Sequence, residues 1–413
     1  MKAVVFTLGC KVNECESDSI IEALFEKGYS VTDKLEPADL YILNTCAITN
    51  EAEKKSRQAV SRVLKLNPNA RVIVTGCAVE KNLKNFEGKK GVTLLNGTFG
   101  KNKLVDLLDK EGVFVFPQTT VYEENCPVKS LRTRTYIKVQ DGCNNFCSYC
   151  IVPYLRGRSR SRNPENIIEE IRRIKPKETV INGINLSAYN YNGITLTGLM
   201  RALKDEDTRI RLGSLEVGVI DREFLTAVKN LKNFAPHFHL SLQSGSSEVL
   251  KAMNRRYTAE EYAKKVDLIR EFFPDAGITT DIIVGFPTET EENFIETLDF
   301  VDRIKFSDIH PFIFSPRSGT VAYKMKDLAP EIKKARLDKL MAKKQECKLA
   351  FSTQMIGKTL EFVLEEKKDG YFVGYSENYL RLYVKDVDDV SIGVYKVKVT
   401  ANYLDGCLAE VIE

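Results

Sequence analysis

The chain has 413 residues, and at about 150 residues per domain we expect two or three domains. Apolar residues make up 43% and charged residues 29%, which is ordinary globular composition and excludes a disordered, collagenous or coiled-coil chain. No apolar run approaches the roughly 20 residues that a membrane helix needs, so no membrane partner is expected. A net charge of +4 excludes a polycation of the histone type.

Ten cysteines and only three histidines indicate how this chain would bind a metal. The start, MKAVVFTLGC, has too short an apolar run for a secretion signal and is typical of a first strand. We therefore expect a cytoplasmic protein in a reducing compartment, where cysteines are metal ligands, redox groups or core residues rather than disulfides. With so little imidazole, thiolate ligands favour zinc or iron–sulfur.

Residues 1–125 alternate short apolar strands with amphipathic helices, which predicts a parallel α/β sheet. No GxGxxG follows the first strand, so the dinucleotide-binding fingerprint is missing. The predicted strands are Ala3–Thr7, Asp39–Asn44, Arg71–Thr75 and Val92–Asn96, and the predicted helices are Ser17–Lys27, Glu51–Leu66, Glu80–Phe86 and Lys101–Leu108.

After a connector at 112–134, a second β/α series begins near Thr135. Six units fit a partial barrel better than a complete eight-fold one, and we assign it to 130–350. Its strands would be TYIKV, TVING, RLGSLE, FHLSL, TTDIIVG and DIHPFIF, with helices at Glu165–Ile174, Glu223–Asn230, Ala259–Phe273, Glu291–Ile304 and Glu331–Leu349. Residues 354–413 alternate like strands between Gly and Asp residues, which predicts a small β-barrel.

Three cysteines lie within eight residues, directly after the first strand of the second series: Cys143, Cys147 and Cys150. Three thiolates can hold three irons of a 4Fe–4S cluster and leave the fourth iron open. Structural zinc is the competing interpretation, but it prefers four closed ligands and no fourth thiol or His is near. Three unrelated core thiols are the remaining alternative.

This Cys-x-x-x-Cys-x-x-Cys spacing after a barrel strand resembles the radical S-adenosylmethionine signature. The resemblance implies that S-adenosylmethionine binds the open iron and is cleaved by one electron to a 5′-deoxyadenosyl radical. Polar residues at carboxyl ends of barrel strands are then candidates for binding the cofactor, although each could simply cap the following loop. The candidates are Asn182, Gly183, Asn185, Ser214, Glu216, Ser241, Gln243 and Gly285.

Cys10, Cys46 and Cys77 follow the first three predicted strands of the amino-terminal series. The carboxyl ends of parallel strands lie on one edge of a sheet, so these thiols should converge. We expect a second three-thiolate site with an open position, and three separate buried cysteines are the alternative. Gly9 and Gly76 would let the backbone approach a bulky ligand.

The segments LGCKVNE, NTCAITNEAEKKSR and TGCAVE resemble the amino-terminal domain of the methylthiotransferases. The resemblance covers nearly the whole chain and implies an amino-terminal domain at 1–125, a radical barrel, and a TRAM-like β-barrel at 354–413. It also implies two 4Fe–4S clusters, the auxiliary one on Cys10, Cys46 and Cys77. Two departures are Cys15, a further thiol that could compete as a ligand, and Ala78-Val79-Glu80 in place of Tyr-Ala-Gln.

Arginines alternate directly after the second cysteine triad, at Arg156, Arg158, Arg160 and Arg162. Arginine binds phosphate bidentately, so we expect these residues to contact RNA; pairing with acidic residues is the alternative. The tail carries 7 Lys+Arg against 11 Asp+Glu, so it should contribute less to phosphate binding.

Within the family, Gly-Cys-Lys-Val-Asn, His239-Leu-Ser-Leu-Gln-Ser-Gly and the arginine run resemble the branch that acts on threonylcarbamoyladenosine in tRNA. The resemblance implies replacement of the adenine C2 hydrogen, next to the anticodon, by a methylthio group. The implied partners are the tRNA anticodon stem-loop, an electron donor such as flavodoxin or ferredoxin, and a sulfur source. Alternatives are another tRNA adenosine, a ribosomal-protein aspartate, or a noncatalytic iron–sulfur RNA-binding or sensor protein.

Overall fold

The computed structural model describes residues 1–124, 133–385 and 393–412. They form a parallel α/β sheet, a partial β/α barrel and a closed β-barrel, and the fold class expected from the sequence is confirmed. The first boundary between the expected domains, at 125–130, lies outside the described residues, and the domain bounds stay a prediction. None of the helices in these ranges is both long and apolar enough to span a bilayer.

The amino-terminal sheet has six parallel strands in the order β2-β1-β3-β4-β5-β6. The strands are β1 (Lys2–Thr7), β2 (Ser30–Thr32), β3 (Leu40–Thr45), β4 (Arg71–Gly76), β5 (Val92–Asn96) and β6 (Gly112–Phe114), and the helices are α1 (Lys11–Glu26), α2 (Asn50–Leu66) and α3 (Cys77–Lys81). Short 3₁₀ turns replace parts of the last two predicted helices, and the edge strands β2 and β6 were not predicted.

The central unit is a partial barrel of six parallel strands in the order β7-β9-β12-β13-β14-β15. The strands, including three short extra ones, are β7 (Arg134–Asp141), β8 (Arg160–Ser161), β9 (Glu178–Gly183), β10 (Asn190–Tyr191), β11 (Ile194–Thr195), β12 (Arg209–Leu212), β13 (His237–His239), β14 (Gly277–Val284) and β15 (Asp308–Ile313). The helices are α4 (Val152–Arg156), α5 (Pro164–Ile174), α6 (Leu196–Ala202), α7 (Arg222–Lys229), α8 (Ser247–Ala252), α9 (Ala259–Phe272), α10 (Glu291–Ile304) and α11 (Pro330–Met355).

Four helices of this barrel, α5, α7, α9 and α10, begin where a side chain accepts from a free backbone N–H group. Thr258 and Glu261 form a reciprocal capping box at the start of α9, and Thr290 and Asn293 do the same for α10. One face of each barrel strand packs on these helices, as with Phe238, Leu240 and Ile282, which are fully buried in the apolar core. The alternate positions carry polar side chains, so the inner wall of the barrel is polar.

The carboxy-terminal barrel closes in the order β16-β17-β18-β20-β19 and covers the amino ends of the central strands. Its strands are β16 (Thr359–Lys368), β17 (Tyr371–Ser376), β18 (Arg381–Lys385), β19 (Val394–Tyr403) and β20 (Gly406–Val411). Arg211 donates to the carbonyl oxygens of Ser376 and Glu377 at 2.9 Å each, and Glu178 binds both Arg209 and Arg211. Burial alone would raise the pKa of Glu178, but these two cations lower it to about 2.

We expect Glu178→Gln to lower the free energy of unfolding by about 3 kcal/mol, because it leaves buried guanidinium groups without their anion. Urea unfolding of the full chain measures this loss. Glu260→Gln is the matched control, since Glu260 pairs with Arg303 on the surface and its loss should change little. Equal losses of unfolding free energy for the two substitutions would contradict a stabilising role for the buried ion pairs of Glu178.

Candidate active site

The three amino-terminal cysteines lie at one edge of the first sheet, as their spacing predicts. They follow β1, β3 and β4, which are immediate neighbours and parallel. Burial, and next the neighbouring thiols of Cys77 and Cys10, raises the pKa of Cys46 to about 12. The three sulfur groups are therefore close enough to interact, and we call them the auxiliary triad.

Two glycines allow the loops of the auxiliary triad to pack. Gly9 and Gly76 have φ values of 109° and 100°, which side chains rarely adopt. A Cβ on Gly9 would lie 2.7 Å from the Cβ of Cys46, and one on Gly76 would lie 2.6 Å from the carbonyl oxygen of Thr45. Any side chain at either position would push the cysteine loops apart.

Cys15, which the sequence leaves as a possible competing ligand, faces the barrel rather than the auxiliary triad. It is buried on α1, and burial followed by the charge of Asp18 raises its pKa well above the usual range. The Lys138 and Asn182 side chains act on it in the opposite direction, and both belong to barrel strands. This placement supports the assignment of the triad to the other three cysteines.

Cys143, Cys147 and Cys150 lie together in the loop after β7, and we call them the radical triad. Burial, then the thiols of Cys147 and Cys143, raises the pKa of Cys150 to about 12. N–H groups donate to the other two sulfurs. Cys143 Sγ accepts from the Asn145 backbone N–H at 3.5 Å and from the Asn185 side-chain amide at 3.7 Å. Cys147 Sγ accepts from the Arg255 guanidinium at 3.4 Å. Such donors suit thiolates, which is the state that iron requires.

No three His, Cys, Asp or Glu side chains in the described ranges are gathered in the way that a single metal ion requires. A 4Fe–4S cluster makes a different demand, because each thiolate binds a different iron of the cluster. The donor set of each triad, three thiols beside an apolar or N–H-bearing wall, fits such a cluster.

The residues predicted to bind the cofactor divide into two groups. Glu216 accepts from Asn145 at 2.6 Å, Asn185 reaches Cys143, and Gln243 lines a cavity with Cys150, so these three lie at the radical triad. Ser241 lies alongside, its carbonyl oxygen held by Tyr257. The other four predicted residues make no such contact with the radical triad. Asn182 is buried beside Cys15, and Ser214 is exposed. Gly183 packs on Gln140, and Gly285 packs on Lys333.

The structure corrects the prediction for three of the four alternating arginines, which are buried and bind carboxylates. Arg156, only 1% exposed, binds Glu16 at 2.9 Å and Asp141 at 3.2 Å; Arg160 binds Asp141 at 3.1 Å. Arg162 binds Glu124 and Glu170. A buried guanidinium that already neutralises an acid cannot also serve a phosphate.

Arg158 is the exception, because it is exposed and lies 4.5 Å above the ring centre of Phe146, inside the loop of the radical triad. It therefore remains our candidate for an RNA contact.

A cavity of about 210 Å³ is lined both by the loop that follows Cys46 and by Cys150 of the radical triad. Ile48 and Thr49, just after Cys46, form one side, and Tyr149, Cys150 and Ile151 form another. Its remaining wall is made by the barrel strand ends, with Gln243, Asp281, Ile283, Phe312, Ile313, Phe314 and Ser315. Asp281 in this cavity and Arg255 at Cys147 were not among the predicted site residues, although the polar alternation of the barrel strands indicated an inner face.

The match to family models defines the class of protein. Residues 137–301 match the Radical SAM superfamily and residues 2–97 match the uncharacterized protein family UPF0004. The structure is also similar to that of the radical S-adenosylmethionine methyltransferase TsrM from Kitasatospora setae. The TM-score is 0.54 at 14% identity, covering 75% of this chain and 72% of that one, which shows the fold alone.

Relatives narrow the class. The chain is 35% identical to the threonylcarbamoyladenosine tRNA methylthiotransferase MtaB of Bacillus subtilis, over 100% of this chain and 98% of that protein. It is 39% identical to the MtaB of Thermotoga maritima over 92% and 91% of the two chains. It is 37% identical to the tRNA-2-methylthio-N(6)-dimethylallyladenosine synthase of Thermoanaerobacter pseudethanolicus, over 87% and 81%. The chain belongs to the methylthiotransferase family of radical S-adenosylmethionine enzymes, which confirms the resemblance recognised in its sequence.

Two separate triads predict two 4Fe–4S clusters, or about eight irons per chain after anaerobic reconstitution. Replacing Cys10, Cys46 and Cys77 together by Ala should leave about four irons, and so should replacing Cys143, Cys147 and Cys150. Iron and sulfide analysis measures this, and Cys347→Ala, a buried cysteine distant from both triads in sequence, is the control. A maximum near four irons that is unchanged by loss of the auxiliary triad would rule out two clusters.

Proposed function

We propose that this chain is a tRNA methylthiotransferase that converts threonylcarbamoyladenosine next to the anticodon into its 2-methylthio derivative. The observation that carries the proposal is the cavity lined by the loop after Cys46 and by Cys150, in a chain with full-length similarity to enzymes of this name. One wall of the cavity follows Cys46 and another contains Cys150. A base held there would present its C2 edge to both centres.

The proposed cofactors are S-adenosylmethionine and one 4Fe–4S cluster on each triad; together they supply radical chemistry at the radical triad and the methylthio sulfur at the auxiliary triad. The adenine C2–H bond is not acidic, which explains why a radical rather than an acid/base pair is needed there. The chain's own residues would hold and orient the reactants. Glu216, Asn185, Ser241 and Gln243 are the residues we assign to S-adenosylmethionine, because they lie at the radical triad.

The cavity walls would select a flat base and exclude water from it. Ile48, Ile151 and Ile283 are aliphatic, and Phe312 and Phe314 supply aromatic surface. Asp281 and Gln243 bring acceptor oxygens to the same space. A base inside this cavity must leave the stack of the anticodon loop, as for other enzymes that act on a base.

Threonylcarbamoyladenosine is the preferred substrate in this proposal because the similarity to the B. subtilis enzyme covers both chains almost completely. The sequence identity to the dimethylallyladenosine synthase is similar, at 37%, but the matched region covers less of each chain. Dimethylallyladenosine is therefore the second candidate substrate. An external low-potential electron donor such as flavodoxin or ferredoxin and a sulfur source complete the proposed reaction. We also propose that it takes place in the cytoplasm, consistent with nine free thiols among the described residues.

The function is tested with reconstituted enzyme and anticodon stem-loops carrying either threonylcarbamoyladenosine or dimethylallyladenosine. We expect mass spectrometry to find a methylthio product mainly from the first. Replacing the radical triad by Ala should abolish cleavage of S-adenosylmethionine, whereas replacing the auxiliary triad should abolish the product and leave some cleavage. Cleavage of S-adenosylmethionine by the radical-triad variant would contradict the separate roles that we assign to the two triads.

Arg158→Ala should weaken stem-loop binding and reduce the slope of log affinity against log salt by about 0.7–0.9, because one phosphate contact is lost. Fluorescence anisotropy across a salt series measures the slope. Arg201→Ala is the control, since Arg201 is exposed on α6 and pairs with Glu223. An unchanged slope for Arg158→Ala would remove this arginine from the RNA interface.

A further inference from the structure

Arg255 is directed at a cysteine sulfur rather than at solvent. Its Nη1 donates to Cys147 Sγ at 3.4 Å and lies 3.0 Å from a carboxylate oxygen of Glu216. Its Nη2 donates to the Ser241 carbonyl at 3.2 Å and its Nε to the Tyr257 hydroxyl at 3.0 Å. All three nitrogens of the guanidinium are engaged and the side chain is only 6% exposed, so its position is fixed.

The segment that carries Arg255 is hydrogen-bonded to the loop of the radical triad. Ser148 donates its backbone N–H to Met253 at 3.0 Å and its hydroxyl to Ala252 at 2.9 Å. Asn254, in the left-handed region with φ 59°, donates its amide to the carbonyls of Asn145 and Phe146 at 3.2 and 3.1 Å. The guanidinium is thus fixed relative to Cys147 by contacts on both sides of that cysteine.

A cation and an N–H donor at a cluster sulfur have a defined electrostatic effect. Reduction adds one negative charge to an iron–sulfur cluster, and hydrogen bonds to its sulfurs and nearby charges set its reduction potential. The low exposure of Arg255 limits screening by water, so its interaction with that charge is strong. Glu216, on the same guanidinium, opposes the added charge.

We propose that Arg255 is a positioning residue that holds the Cys147 thiolate and raises the reduction potential of the cluster on Cys143, Cys147 and Cys150. Glu216 partly offsets this effect. In the step concerned, a low-potential one-electron donor protein loses one electron and the oxidised cluster gains it, with no bond or proton changed. The inference rests on the proposed function, because it requires a cluster at the radical triad.

The experiment is a potentiometric titration of the cluster, followed by electron paramagnetic resonance without S-adenosylmethionine. Full-length protein with Cys10, Cys46 and Cys77 replaced by Ala is used, so that one cluster is titrated, and iron analysis confirms equal loading. In Arg255→Gln we expect the reduced-to-oxidised ratio at a fixed potential to fall about tenfold, a downward shift of about 59 mV. Arg255→Lys should shift in the same direction by less, and Glu216→Gln should shift upward.

Arg256→Gln is the matched control, because Arg256 is the next residue, is exposed, and lines with Arg255 and Cys147 a second cavity, distinct from the one beside Cys150. Its potential should stay at that of the unsubstituted protein. Equal potentials in the Arg255 and Arg256 variants, or a downward shift in Glu216→Gln, would overturn the inference. If Arg255→Gln does not hold a cluster, the shifts of Arg255→Lys and Glu216→Gln decide. Failure of the unsubstituted radical triad to bind iron would instead refute the proposed function.

Discussion

The carboxylate of Glu16 imposes the central constraint on this structure. It is buried on α1 and is surrounded by Lys101, Lys138 and Arg156. These cations hold its pKa well below the usual range, although burial alone would raise it. A buried ion pair of this kind adds little net stability but penalises every arrangement in which one partner is missing.

The cations around Glu16 come from three parts of the chain. Lys101 belongs to the amino-terminal unit, Lys138 to the inner wall of the barrel, and Arg156 to the helix that follows the radical triad. Asp141, two residues before Cys143, joins the same network through Lys138 and Arg156. The network therefore fixes the sheet that carries the auxiliary triad against the strand that precedes the radical triad.

The sequence was informative where chemistry and periodicity coincide. Cys10, Cys46 and Cys77 could be brought together in advance because each follows a strand of a regular β/α series. The three-residue strands β2 and β6 lie at the sheet edges and are too short to show a pattern. The predicted third barrel strand, RLGSLE, was displaced toward the carboxyl end, because β12 spans Arg209–Leu212 and the chain reaches Glu216 outside the regular ladder.

The arginines show what local sequence cannot supply. Alternation of Arg156, Arg158, Arg160 and Arg162 is the same pattern whether the side chains meet phosphate or acids. The partner Glu16 is distant in the chain, since it precedes Arg156 by 140 residues, and no spacing reveals that contact. The contact of Arg255 with Cys147 could not be predicted either, because it depends on how the turn after α8 packs against the cysteine loop.

The contact between Arg211 and the carboxy-terminal barrel has a consequence for how this family can vary. The guanidinium is bonded to two main-chain oxygens, at Ser376 and Glu377, and those atoms are present whatever side chains stand there. These two bonds therefore do not depend on the side chains of Ser376 and Glu377, whereas Asn378 and Tyr379 of the same turn contact the central unit through their side chains. Mutation can therefore change the exposed surface of the small barrel while these two bonds to Arg211 are kept.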